Sequence, residues 1–128
     1  MCGINGHINF KGEAQSSLVE RMNIQLEHRG PDAKGIWSNG IAALGHTRLS
    51  IIDLSVRGNQ PLVKDNLVII FNGEIYNFRE LKHLYLNEIN FETESDTEVV
   101  LELWKKFGLE SLEMLSKHTS SYNPYNAT

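Results

Sequence analysis

Apolar and polar residues alternate through GINGHINF (residues 3–10), with Ile4, Ile8 and Phe10 on one side and Asn5, His7 and Asn9 on the other, which predicts a strand. From Ser17 the period lengthens. Leu18, Met22 and Leu26 follow the i, i+4, i+8 spacing of an amphipathic helix, which runs into HRGPD (28–32), a loop punctuated by Gly and Pro. KGIWSNGIAALGHTRLS (34–50) predicts two short strands about a Ser38-Asn39-Gly40 turn, and a polar loop continues to Asp65. Leu67 to Phe71 reads as a buried strand from its β-branched content, and Phe78 to Leu86 as a short helix with Leu81, Leu84 and Tyr85 inward. The clearest helix signal is S-D-T-E at 95–98, a capping box with Ser95 as N-cap and Glu98 at N3. Its inward stripe is Val99, Val100, Leu103, Trp104 and Phe107, and Gly108 suits its stop. Leu109 to Leu115 repeats leucine every three residues as a second helical piece. From Ser116 the pattern gives way to a polar tail expected to fray. Strands on both sides of helices, joined by hairpins, predict an α+β fold.

Length and composition narrow the class. A chain of 128 residues with 41% hydrophobic and 22% charged side chains is globular and has room for one domain. The longest apolar run is Leu67 to Phe71, far short of the roughly 18 residues of a membrane span. No basic-then-apolar signal opens the chain, so it is expected to be cytoplasmic. A formal charge of −4 without like-charge blocks argues against nucleic-acid and anionic-membrane partners. One cysteine among five scattered histidines gives neither an internal disulfide nor a zinc pattern, and no metal site is expected.

That cysteine stands at position 2. Removal of the initiator Met would make Cys2 the first residue, joining a nucleophile and a base in one residue, because an α-amine and a thiol titrate close together, near ~8 and ~8.5. The plain alternative is a small hydrophobe near a chain end. Arg48 suits a carboxylate through a bidentate fork, or is a strand-end surface arginine. Asp96 suits an ammonium group, or complements the dipole of the helix it opens. Asn72-Gly73 offers a side-chain and a backbone N–H to a developing oxyanion, or is a two-residue hairpin turn between Leu67–Phe71 and Glu74–Phe78.

Six blocks, Cys2-Gly3-Ile4, HRGPD at 28–32, RLSIID at 48–53, Gln60-Pro61-Leu62, NGEIYN at 72–77 and SDTEV at 95–99, resemble class II glutamine amidotransferases in content and order. HRGPD and FNGEIYN are similar to the asparagine-synthetase branch. The resemblance implies an N-terminal-nucleophile hydrolase fold, a four-layer αββα sandwich, and hydrolysis of L-glutamine to glutamate and ammonia. It implies Cys2 as nucleophile, with Asn72 and Gly73 at the oxyanion. The glutamine site it implies comprises Arg48, Leu49, Ser50, Ile51, Ile52, Asn72, Gly73, Glu74 and Asp96. His28 and Arg29 are expected to hold a loop.

The resemblance extends to about Leu115, giving an expected glutaminase domain over 1–115 that is incomplete at its C-terminus, and a divergent tail over 116–128. Later strands of the family's sheets and its ATP-dependent synthetase domain are expected to be missing from it. No cofactor is expected in this chain, since ATP and Mg would belong to the synthetase part. Asparagine synthesis would require a synthetase domain or subunit in trans. The alternative expectation is a catalytically silent remnant that binds glutamine or a partner subunit through an exposed sheet edge.

Overall fold

Gly3–Ile8 forms strand β1, Ala33–Ser38 strand β2 and Ala42–Arg48 strand β3, and the antiparallel sheet runs β1-β3-β2. The computed structural model describes residues 1–51 and 53–119, with backbone alone for 116–119. It divides the chain into two units, Met1–Gly73 and the residues from Glu74 onward. The mixture of helices with antiparallel strands is α+β. Ile52 and residues 120–128, most of the predicted polar tail, lie outside the described residues.

In the first unit, helix α1 (Ser16–Gln25) packs on the sheet. Its buried residues are Val19 and Asn23, flanked by half-buried Leu18, Met22 and Leu26, so the covered stripe is turned by one residue from the predicted one. The sheet face it covers is also the reverse of the hydropathy expectation. Asn5 and His7 face α1, while Ile4 and Ile8 point away and are 45% and 57% exposed. The contact is a hydrogen-bonded one: Asn5 Nδ2 donates to Asn23 Oδ1 (2.6 Å), Asn23 Nδ2 to the Gly35 carbonyl (3.0 Å), and the Gln15 N–H to His7 Nδ1 (2.9 Å). Alternation defines two faces of a strand, but polar groups that find partners let either face be buried. Gly45 permits the close approach, because a Cβ there would stand 2.6 Å from Val19 Cγ1 and 2.7 Å from Asn23 Oδ1.

The β2–β3 turn lies at Asn39-Gly40 as predicted. Gly40 has φ +91°, and Asn39 closes the turn by donating its N–H to Ala42 O (3.0 Å) and accepting the Ala42 N–H on Oδ1 (3.1 Å). The buried strand expected over Leu67 to Phe71 is shorter and half-buried: β5 (Leu67–Ile69) pairs with β4 (Leu62–Lys64) in a hairpin turning at Asp65-Asn66. The hairpin is therefore at 65–66, and Asn72-Gly73 is a loop rather than a turn between strands.

The second unit holds α2 (Phe78–Tyr85), α3 (Asp96–Phe107) and α4 (Glu110–Thr119), with Leu81, Leu86, Val99, Leu101 and Leu103 as its apolar core. Leu84 and Trp104, both expected inward, are exposed at 53% and 40%. Tyr85 instead meets Phe107 edge to face with centroids 5.9 Å apart. Ser95 caps α3 through Thr97 N–H (3.1 Å), and Gly108, φ +56°, ends it with its N–H on Trp104 O (2.7 Å). Glu98 reaches beyond the cap. Fully buried, its carboxylate accepts from Glu92 N–H, Thr93 N–H (2.7 Å) and Thr93 Oγ1 (2.8 Å), while the Ser95 N–H goes to Thr93 Oγ1 (3.1 Å). Helix α4 continues to Thr119, past the Leu115 limit expected from the leucine spacing.

Candidate functional site

Cys2 lies immediately before β1, half-buried, against the end of β3. Pairing of Gly3 with Thr47 brings the thiol to the segment after Arg48, where the sulfur accepts the Leu49 N–H (3.3 Å) and the S–H donates to Leu49 O (3.7 Å). The backbone of Leu49 thus holds the thiol from both sides, one group donating to the sulfur and the other accepting from its S–H. Arg29, on the short 3₁₀ turn Glu27–Arg29, donates Nε–H to the Cys2 carbonyl (3.1 Å) and fixes the backbone that carries the thiol. His28 stays local, with Nδ1 at 3.0 Å from Gln25 O.

The RLSI segment is fastened from HRGPD. Asp32 N–H donates to Arg48 O (2.9 Å), and Asp32 Oδ2 accepts the Ser50 N–H (2.7 Å). Both ends of the peptide run beside the thiol are thus tied to one residue, which places Leu49 over Cys2. Ile51 is exposed, and Ile52 lies outside the described residues.

Arg48 is neither a surface arginine nor an open fork. It is 7% exposed, and Nη1 donates to Ser55 O (2.7 Å) and Asn59 Oδ1 (2.7 Å) while Nη2 donates to Asp53 O. The guanidinium clamps the 53–59 loop. Nε–H and a second Nη2 hydrogen are the donors these three bonds leave over. Beside it opens a cavity of about 340 Å³ whose lining includes Asp32, Arg48, Ser50, Ser55 and Asn59. Ala33, Leu54 and Val56 complete its wall, so apolar side chains stand beside the charged, hydroxyl and amide groups.

Asn72 is half-buried and Gly73 exposed, in the loop between β5 and α2. Phe71 precedes them, and its N–H donates to Gln60 Oε1 (2.6 Å). A Cβ on Gly73 would stand 2.8 Å from Phe71 Cζ, so the ring lies directly on that glycine. His46 is 1% exposed on β3, and among the described residues neither ring nitrogen has a hydrogen-bond partner. Burial pushes its pKa below the ordinary histidine range; the backbone at Phe71 opposes this and the Arg48 charge adds to it.

In the second unit Glu74 is exposed, and Asp96, at the first position of α3, accepts the Ile75 N–H on Oδ2 (2.9 Å). Burial raises the Asp96 pKa above the usual carboxylate value, and the neighbouring Glu74 charge raises it further, against backbone hydrogen bonds from Ile75 and Thr97 that lower it. Such a carboxyl, held by backbone but short of solvation, gains from a cation.

The sequence reading reached Cys2, Arg48, Asn72 and Asp96 but assigned no role to Asp32, Ser55, Asn59 or Gln60. HRGPD and Gln60-Pro61 were visible as blocks. What those blocks hold became visible only when strand pairing set them beside 48–50 and 71–73.

A family model described as the glutamine amidotransferase domain matches residues 1–118, and the chain belongs to that family. Among its relatives, asparagine synthetase (glutamine-hydrolysing) 1 of Bacillus subtilis strain 168 is 40% identical over 122 residues, covering 90% of this chain and 19% of the relative. Asparagine synthetase (glutamine-hydrolysing) 1 of Arabidopsis thaliana is 38% identical over 119 residues, covering 90% and 20%. Amidase chry2 of Gibberella zeae is 38% identical over 130 residues, covering 90% and 19%. The chain spans about a fifth of the length of these relatives.

Proposed function

We propose that this chain hydrolyses L-glutamine to glutamate and ammonia, with Cys2 as an N-terminal nucleophile after removal of Met1. The observation that carries the reading is the Cys2 thiol held between the N–H and carbonyl of Leu49 by a segment that Asp32 and Arg29 pin in place, in a chain of the glutamine amidotransferase family. The freed α-amine takes the thiol proton and Sγ attacks the carboxamide carbon. The Asn72 side-chain N–H and the Gly73 N–H receive the oxyanion. Ammonia leaves with the proton held by the amine, and water cleaves the thioester to glutamate, so the balance is glutamine plus water to glutamate plus ammonia. In this reading the remaining Arg48 donors are the partners of the substrate carboxylate and Asp96 that of its ammonium, with Leu49, Ser50, Ile51 and Glu74 as further substrate-binding residues.

The ammonia is used for asparagine synthesis by a synthetase domain or subunit, to which ATP and Mg would belong. We place the reaction in the cytoplasm; among the described residues no helix is long and apolar enough to cross a membrane. The engagement of Arg48 with its own loop favours a second reading, a silent chain that binds glutamine or a partner without turnover.

An electrophilic glutamine analogue separates the two. Intact mass and a peptide map are expected to show loss of Met1 and one adduct on the N-terminal peptide, absent from Cys2→Ala, alongside glutamate release by the unlabelled protein. Turnover by material that retains Met1 would overturn the mechanism. Glutamine binding without adduct or turnover would establish the silent reading.

A further inference from the structure

We infer that Gln60 is a positioning residue for the Asn72-Gly73 donor pair, fixing the backbone that leads into it; the inference rests on the reading of those two residues as the oxyanion donors. Gln60-Pro61 was prominent in the sequence and is otherwise without a role. In the β4–β5 hairpin Leu62 pairs with Ile69, so one residue further along each strand would set Pro61 opposite Ile70, and two would set Gln60 opposite Phe71. The ladder ends at the Leu62–Ile69 pair, before either of those positions. The Phe71 N–H would be left without its ladder acceptor. Gln60, 9% exposed, supplies one from its side chain at 2.6 Å.

The acceptor is itself anchored on the sheet. Gly35 of β2 lies under Gln60 so closely that a Cβ would collide with the Gln60 carbonyl and stand 2.9 Å from Pro61 Cδ. Gly35 pairs with His46 of the central strand β3. A chain of contacts therefore runs from the middle of the sheet through Gly35 and Gln60 to the Phe71 N–H, and from the Phe71 ring onto Gly73. Oxyanion donors act through pre-set direction, and a loop with no ladder of its own acquires that direction from such a tether.

The test compares Gln60→Met, of similar shape without the amide acceptor, with Gln60→Glu, which keeps an acceptor oxygen, in the full 128-residue chain. NMR amide exchange is read at Phe71, Asn72, Gly73 and β3, and glutamine turnover is measured in parallel, with and without Asn72→Ala. Gln60→Met is expected to speed exchange at 71–73 with β3 unchanged, to lower kcat by about 10-fold with KM within about 2-fold, and to be rescued by Gln60→Glu. In the Asn72→Ala background its effect on kcat should shrink to about 2-fold or less. Unchanged exchange at Phe71, loss of protection throughout β3, or an undiminished kcat effect beside Asn72→Ala would each overturn the inference. If the parent chain turns over no glutamine, hydrolysis fails as its function, while exchange at 71–73 still decides whether Gln60 holds the segment.

Discussion

At the scale of single residues, the two groups assigned to the ends of the substrate stand in opposite environments. Arg48 is largely engaged by its own loop: three carbonyl or amide oxygens accept hydrogen bonds from three of its five N–H donors, so much of its charge is solvated by protein before any ligand arrives. Asp96 is under-solvated, with burial and Glu74 both working against its charge. A carboxyl whose folded pKa is raised contributes stability that is complete below its unfolded value and is lost as pH rises through the folded value. Once ionised, Asp96 therefore weighs against the stability of its unit. Asp96→Asn keeps an acceptor for the Ile75 N–H and removes the charge, so it is expected to raise KM for glutamine at pH 7.5 with no loss of stability. Arg48→Ala is expected to raise KM and also to cost about 1.5–3 kcal/mol, the range for hydrogen bonds to a charged group. Urea unfolding beside steady-state kinetics separates the two outcomes.

At the scale of elements, β3 organises the first unit. It is the central strand, paired on both edges, and residues 45–48 are buried without alternation. His46 sits in that stretch without a partner among the described residues for either nitrogen, and Phe71 and Arg48 are the backbone and the charge that act on it. With its folded pKa lowered, the unfolded chain takes up the proton first, so stability falls as pH drops from about 6.5 toward the lower folded value and levels off below it. Urea midpoints are expected to fall between pH 7.5 and 5.5, and His46→Gln should flatten that dependence. An identical slope in the variant would overturn the assignment of the effect to His46.

At the scale of the whole chain, the outer side of the three-stranded sheet shapes behaviour in solution. Ile4 and Ile8 point away from α1 on β1, an edge strand, and Phe10 and Ile41 near the same end of the sheet are exposed as well. An outermost strand beside exposed apolar side chains invites pairing with another chain, and a net charge of −4 opposes this only weakly. Concentration-dependent association is expected by sedimentation velocity at micromolar protein, and the double substitution Ile4→Lys, Ile8→Lys should reduce it without moving the Cys2–Leu49 contact. Monodisperse parent protein up to about 100 μM would contradict this account.

The residues and their order carry the local devices. The Asn39-Gly40 turn, the Ser95 cap, the Gly108 stop and the α+β class follow from turn chemistry, periodicity and capping, which act over a few neighbouring positions. The Cys2, Arg48, Asn72 and Asp96 candidates were legible because they sit in ordered blocks that belong to a family. Tertiary structure alone decided which face of β1 is covered, because the hydrogen bonds of Asn5 and His7 to α1 offset the burial of polar groups, and hydropathy does not register partners. It also decided that Trp104 is partly exposed, that Arg48 clamps a loop, and that the Gln60 side chain accepts the Phe71 N–H beyond the end of the β4–β5 ladder. Each of those depends on pairing between residues distant in sequence, where the energy lies in a specific partner and a specific distance that no local pattern encodes.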